Sequence, residues 1–147
     1  MDMTAFYTRD KANEGAKLPL SLPDGTKTDD YLIVRGVDSD HFRDADAKAK
    51  REIVQAAAIK DEAAKAARLR EIQVDVLVAL VAGWSLADEF TPGNVRALLS
   101  EAPQIADAVN TFAASRALFF GVGSNSSPSG ASANSASAAP RKGRKSP

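Results

Sequence analysis

The stretch of residues 74–82 constrains the fold most, because Asp75 is its only polar residue and the rest is apolar on almost every face. Gly83 follows the stretch and can end a helix, since glycine readily adopts the backbone conformation found just past a helix end. The pattern predicts a central helix over residues 69–82 that neighbouring elements enclose. The uninterrupted apolar part spans only about eight residues, far fewer than the roughly 20 that cross a bilayer.

Two further helices are predicted after this central one. Thr91 is a good N-cap residue, and Pro92 stands at the first helical position, where its missing N–H costs nothing. Pro103 begins another segment with apolar residues at helical spacing, which we expect to end at residues 118–120. Together these helices predict a compact helical core.

A small β-hairpin is expected before the helices. Pro23, Asp24 and Gly25 form a turn signal, and short apolar runs at residues 18–22 and 30–34 flank it. Proline cannot donate a ladder hydrogen bond, so the first strand should lie at the edge of the sheet. Two strands alone are marginally stable in water, so the hairpin must pack on the helices or on a partner.

Residues 40–67 contain no glycine or proline and are rich in Ala, Lys, Glu and Arg, which favour helix. They predict one helix of about 27 residues, with Asp38 or Ser39 as its cap; a break near residues 67–69 is the alternative. Its apolar stripe is narrow and made mostly of methyl groups, which suits close packing against another helix, a second copy or a transient partner. The stripe consists of Phe42, Ala45, Ala49, Ala56, Ile59, Ala63 and Ala66.

Both ends of the chain differ in composition from its centre. Residues 1–16 are polar and show no period, which predicts a flexible arm. After Val122 there is no bulky apolar residue, and Gly, Ser, Asn, Ala and Pro predominate, so residues 121–147 are predicted to be a disordered, basic tail. The expected fold is therefore mainly α with a small N-terminal β-hairpin, organised as an arm (1–16), one domain (17–120) and the tail.

Few residues suit covalent chemistry. The chain has no cysteine, so disulfides, thiolate metal sites and a cysteine nucleophile are excluded. Asp38, Asp40 and the only histidine, His41, lie close in sequence, but helix capping and the helix dipole account for these acids without a metal ion. No nucleophile motif accompanies His41. We therefore predict no catalytic, cofactor-binding or metal-binding residue, and a protein that is not an enzyme.

The overall charge favours neither nucleic acid nor membrane as a partner, because 19 basic residues balance 19 acidic ones. Four basic residues, Arg141, Lys142, Arg144 and Lys145, lie in the predicted tail, where they could give only weak, salt-sensitive attachment to nucleic acid. The first residues lack the basic start and apolar run of a secretory signal. We expect an intracellular protein.

Several aromatic residues are candidates for either the core or a partner contact. The adjacent Phe119 and Phe120 cannot both face the same core, so one of them is expected to meet a partner or the hairpin. The candidate partner-binding residues are Trp84, Phe90, Phe112, Phe119 and Phe120.

The order and spacing of these parts resemble the tail assembly chaperones of long-tailed bacteriophages. The resemblance covers roughly residues 18–120, and it departs from the family at Gly93, where an acid is usual in the first helical turn. Its motifs are structural and carry no diagnostic chemistry. The segments that carry it are the hairpin, the alanine-rich charged helix and residues 31–42, 80–86, 90–95, 98–105 and 112–120.

The resemblance implies a scaffold role in the host cell cytoplasm. Such proteins coat the tape measure protein, keep it soluble, help bring tail tube subunits to it and are absent from the mature virion. The family often makes a second, longer product by ribosomal frameshifting, for which residues 121–147 would suit a linker. Two other functions remain open: a structural adaptor retained in the virion, and a small regulator that binds nucleic acid through its basic tail.

Overall fold

The structure, a computed structural model, describes residues 1–120, so the predicted disordered tail lies outside the described residues. The described residues form α-helices and the strands of one small sheet. Short 3₁₀ helices occur at Met3–Phe6 and Arg116–Phe119. The mainly α fold with a small N-terminal sheet is confirmed. The helices are α1 (Arg9–Glu14), α2 (Asp40–Ala56), α3 (Glu62–Leu80), α4 (Pro92–Glu101) and α5 (Pro103–Ala114), and the strands are β1 (Ala16–Ser21), β2 (Lys27–Val34) and β3 (Val81–Trp84).

The sheet is antiparallel, with the strand order β1-β2-β3. The hairpin turn is confirmed: Gly25 has a φ of 92°, and the backbone N–H of Thr26 donates to Oδ1 of Asp24 over 2.9 Å. The first strand lies at an edge, as Pro19 predicts. The third strand is unexpected. The predicted helix over residues 69–82 is wrong in its last turn, because the chain leaves the helix after Leu80 and pairs Trp84 with Leu32.

The main hydrophobic core lies between one face of the sheet, α4, α5 and the end of α3. Leu32, Val34, Val95 and Val109 are almost fully buried there. Neighbours enclose α3 only in part, because Ile72 and Leu80 are buried whereas the apolar side chains between them are half-buried. They remain available to the surface.

Arg35 fastens the sheet to the C-terminal end of α3. Its backbone N–H donates to the carbonyl of Leu80 over 2.6 Å, and its Nη1 donates to the carbonyls of Ala79 and Val81 over 3.0 and 3.3 Å. The last carbonyls of a helix have no partner within the helix, so a cationic side chain there satisfies and stabilises them. Burial lowers the pKa of Arg35.

The alanine-rich region forms two helices, so the predicted single helix over residues 40–67 is wrong. The chain turns between α2 and α3, and the carboxylate of Asp61 accepts from the backbone N–H of Ala64 over 2.8 Å as the N-cap of α3. The two helices pack as a hairpin around a separate small cluster of Ala49, Ala56 and Ile72. Asp61 therefore marks a boundary that helix propensity alone conceals.

Part of the predicted flexible arm is ordered secondary structure. Ala12 of α1 is buried, and its carbonyl accepts from the backbone N–H of Gly36 over 3.0 Å. A Cβ at Gly36 would lie 2.9 Å from Cβ of Ala12, so the absent side chain allows this close approach. Residues 9–14 of the predicted flexible arm thus form a helix, which a small apolar contact holds against the domain.

Candidate partner-binding surfaces

An open groove of about 590 Å³ lies between α2, α3 and α5, and we call it the α3 groove. Ile72 is 1% exposed and belongs to the floor, whereas Ile53 and Leu69 at the rim are 46% and 37% exposed. Grooves that take a ligand span about 300–1,000 Å³ and are mostly apolar. The apolar lining consists of Ala49, Ile53, Leu69, Ile72, Val76, Leu77 and Ala106.

The polar rim of the α3 groove is mixed in charge. Nζ of Lys50 and Oδ2 of Asp46 form an ion pair at 2.9 Å. Arg70 on α3 and Asp107 on α5 make no ion pair within residues 1–120, although both line the groove. An apolar floor with a polar rim fits an amphipathic segment that buries one face and keeps the other in water.

A second groove adjoins the first along α3, against α4 and the start of α5, and the residues that line both grooves are Arg70, Gln73, Leu77, Ala106 and Asp107. Val74 and Leu77 line it, together with Leu99 and Pro103. Arg96 of α4 forms an ion pair with Asp75 of α3 across this side. The apolar side chains of α3 therefore serve two surfaces as well as the core, which explains why the helix is apolar on most faces without being enclosed.

The structure brings Trp84 and Phe90 together at one end of the sheet. Their ring centroids are 5.3 Å apart in an edge-to-face arrangement, and Nε1 of Trp84 donates to the carbonyl of Asp88 over 2.9 Å. Trp84 packs against the core, whereas Phe90 is 43% exposed. Phe90 is therefore the member of this pair that remains accessible to a partner.

The other aromatic candidates meet near the end of α5, which stops at Ala114 and does not continue to residue 120 as predicted. Phe112 and Phe119 are in edge-to-face contact with centroids 5.6 Å apart, and Phe119 is 6% exposed. Phe120 points outward and is 36% exposed. The two adjacent phenylalanines thus face different environments, with Phe119 in the interior and Phe120 at the surface.

The carboxylate of Asp38 is occupied by protein donors. Nε and Nη2 of Arg116 donate to it over 2.6 and 2.9 Å, and Oγ1 of Thr8 donates over 2.7 Å. The Arg116 guanidinium lowers the pKa of Asp38 to about 2. This carboxylate therefore joins the two ends of the described chain to the start of α2.

Asp40 and Ser39 are also used structurally. Arg9 donates to Asp40 over 2.8 Å and holds the pKa of that carboxyl below its usual value, while Oγ of Ser39 accepts from the backbone N–H of Phe42 over 3.2 Å. Within residues 1–120, no three side chains of His, Cys, Asp or Glu are grouped so that they could hold a metal ion. Asp38 and Asp40, the two acids before His41, thus each accept hydrogen bonds from other side chains of the protein.

Sequence reasoning did not identify the α3 groove. Its rim residue Ile53 lies outside the alanine stripe of α2, and Leu69 stands at the start of the predicted helix over residues 69–82, apart from the predicted helix that holds Ile53. The available signal was the adjacent pair Ile53-Val54 in an otherwise alanine-rich and charged helix. The groove itself depends on the turn that Asp61 caps, because that turn places α2 beside α3.

None of the helices within the described residues is both long and apolar enough to cross a membrane. No curated protein and no solved structure matches the chain. A family model described as "Phage tail assembly chaperone" matches residues 13–117, which includes every α-helix and strand of the fold except the first residues of α1. The chain therefore belongs to the phage tail assembly chaperone family.

Proposed function

We propose that this tail assembly chaperone binds the tape measure protein of a long-tailed phage, keeps it soluble and helps bring tail tube subunits to it. The observation that carries the proposal is the α3 groove, where Ile53 and Leu69 remain exposed around an apolar floor in a chain of this family. Large exposed apolar patches with polar rims are typical of interaction sites.

The shape of the groove suits a helical client. A tape measure protein is a long amphipathic rod, and its apolar stripe is exposed before the tail tube surrounds it. One groove with exposed aliphatic side chains gives contact of moderate strength, and many copies along one rod add avidity. The chain would therefore cover the tape measure protein reversibly, because a tube subunit can replace each weak single contact.

This function places the chain in the host cell cytoplasm during assembly and predicts its absence from the mature virion. Of the aromatic candidates, Phe90 and Phe120 are accessible enough to add client contacts, whereas Phe119 supports the domain from inside. Trp84 supports Phe90 by edge-to-face contact, and Phe112 packs against the buried Phe119.

Co-expression with the tape measure protein tests the proposal. Ile53→Glu places a charge at the rim of the α3 groove and should return most of the tape measure protein to the insoluble fraction. Val54→Glu is the matched control, because Val54 is 73% exposed on the same helix but does not line the groove. The control should retain full solubilising activity.

Two results would contradict the proposal. Equal insolubility of the tape measure protein with and without the wild-type chain would exclude the chaperone role. Detection of the chain at a fixed copy number in purified virions, by mass spectrometry, would instead favour the structural adaptor.

A further inference from the structure

The helix α1 lies against the domain with a single buried side chain. Ala12 is 4% exposed, and it is the one buried residue among the six of this helix. Isolated helices shorter than about 12–15 residues are marginal in water, so α1 depends on its contact with the domain to stay helical. Its contact surface therefore decides whether α1 forms at all.

The surface beneath α1 is small and apolar, and we call it the α1 seat. Gly36, Val37, Ala113 and Phe119 line it, facing Ala12. A Cβ at Gly36 would lie 2.9 Å from Cβ of Ala12 and 3.5 Å from Cε2 of Phe119, so the two backbones approach closely. The α1 seat therefore fits a small side chain.

Polar contacts along the same face of α1 fasten it to the start of α2. Nε of Arg9 donates to the carboxylate of Asp40 over 2.8 Å. Nδ2 of Asn13 donates to that carboxylate over 3.1 Å, and its Oδ1 accepts from the backbone N–H of Asp40 over 2.8 Å. Residues three and four positions apart share a helix face, so Arg9, Ala12 and Asn13 together present a cation, a small residue and an amide.

These fastenings are of a kind that opens readily. The side chains of Arg9 and Asp40 are 66% and 50% exposed, and exposed ion pairs add little stability. Gly15, with a φ of 82°, joins α1 to β1, and the strand pairing begins directly after it at Ala16. Small residues at the end of an element often serve as hinges. α1 can therefore swing away about Gly15 while the sheet stays paired.

The match to the family model separates α1 from its seat. Gly36, Val37 and Ala113 lie within the matched residues 13–117, whereas Arg9 and Ala12 precede them. The domain characteristic of the family thus carries most of the α1 seat, and the segment that covers it comes largely from outside the match.

We propose that α1 is an internal ligand, which a helical segment of another protein displaces by binding the α1 seat. The chemistry of α1 defines this partner segment: a basic residue, a small residue three positions later and an asparagine directly after that. Phe120 adjoins the seat and is 36% exposed, so a segment longer than α1 can extend over its ring. The α1 seat shares no residue with the α3 groove, so this contact goes beyond the proposed function and does not depend on it.

Amide hydrogen exchange of the full chain tests whether α1 opens by itself. The backbone N–H of Gly36 donates to the carbonyl of Ala12 over 3.0 Å, whereas that of the adjacent Val37 donates to the carbonyl of Ala113 over 3.1 Å. Opening of α1 frees only the first of these amides, so the amide of Gly36 should be protected at least about tenfold less than that of Val37. Equal protection of the two amides would overturn the proposal, because α1 would then open only together with the domain.

Arg9→Gln should accelerate the exchange of Gly36 about threefold to tenfold and leave Val37 unchanged, because it removes the ion pair with Asp40. Lys11→Gln is the matched control, since Lys11 is a cation of the same helix whose ion pair with Glu14 stays within α1. Equal acceleration by both variants would overturn the fastening by Asp40.

Binding in trans tests the α1 seat directly, with a synthetic peptide of residues 8–15 as the probe and the Gly36 amide followed by NMR titration. A full chain carrying Thr8→Ala and Arg9→Gln should bind the peptide at least about tenfold more tightly than the wild-type chain, because its own α1 competes less. Gly36→Ala in the same chain should abolish binding, since the added Cβ occupies the space of Ala12.

Two outcomes of the titration would overturn the proposal. One is the absence of binding to the Thr8→Ala, Arg9→Gln chain, and the other is equal binding with and without Gly36→Ala, in each case with the variants folded by circular dichroism. Neither outcome affects the proposed function, because none of these substitutions lies in the α3 groove where Ile53→Glu acts. Conversely, failure of the tape measure experiment leaves the α1 seat untouched.

Discussion

Arg116 holds Asp38 through two hydrogen bonds of 2.6 and 2.9 Å across 78 positions of the chain. Thr8 donates to the same carboxylate from the other side. The start of α2 is therefore tied both to the segment before α1 and to the last 3₁₀ helix. Charge-assisted pairs with two parallel hydrogen bonds are stronger and more specific in geometry than single ones.

Asp38→Asn should remove a pH-dependent part of the stability. The pKa of Asp38 lies near 2 in the folded chain, below its ordinary value of 3.8, so its carboxylate stabilises the fold above about pH 4 and loses this effect as the pH falls through 2. At pH 7 we expect a loss of about 1 kcal/mol, because the pair is partly exposed. Urea unfolding from pH 7 to pH 2 should show the difference between variant and wild type shrinking. Asp29→Asn is the control, since Asp29 is exposed and has no side-chain partner within residues 1–120. If the stability difference between Asp38→Asn and wild type grew toward low pH, the role assigned to the Asp38 carboxylate would be contradicted.

Arg35→Met should weaken the attachment of β2 to the end of α3. The change keeps most of the side-chain volume but leaves the carbonyls of Ala79 and Val81 without their donor, which should lower the free energy of unfolding by about 1–2 kcal/mol. Arg35→Lys should lose less, because one ammonium donor remains. Chemical unfolding followed by Trp84 fluorescence measures both variants, and equal stability of Arg35→Met and wild type would show that the cap contributes nothing.

Phe119→Ala and Phe120→Ala should differ sharply although the residues are adjacent. Phe119 is buried against Phe112, so its truncation should cost about 3 kcal/mol. Phe120 is 36% exposed, and its truncation should cost less than about 1 kcal/mol. Calorimetry of the two variants provides the comparison, and similar melting temperatures would contradict the inward placement of Phe119.

Asp61→Ala should weaken the turn between α2 and α3. The carboxylate caps the first turn of α3, and loss of such a cap typically costs about 1 kcal/mol. Amide hydrogen exchange should increase first in the hairpin of α2 and α3, with the sheet unchanged. Lys60→Ala, at an exposed neighbouring position, should leave exchange unaltered; uniform acceleration across the whole domain would show that the hairpin does not open by itself.

Local chemistry made part of the fold predictable. Thr91 caps α4 through its side chain, with Pro92 at the first helical position, and Gly25 allows the turn of the hairpin. In each case the residue type itself prescribes a backbone conformation or a hydrogen bond. The edge position of β1 follows from its proline in the same way.

The remaining features depend on contacts between distant residues. Val81–Trp84 reads as the end of an apolar helix until its pairing with Leu32 and Ile33 is known, because a short apolar run suits either structure. The turn before Asp61 lies among strong helix formers, which conceal it. The α3 groove also depends on distant contacts, because α2 must fold back on α3 and α5 must pack against the core.

The α3 groove lies between two separate hydrophobic clusters, one inside the α2–α3 hairpin and one beneath the sheet. Ala49 and Ile72 in its lining belong to the first cluster, and Leu77 and Ala106 pack against the second. A core substitution that shifts a helix in either cluster would therefore reshape the groove without altering any residue at its rim.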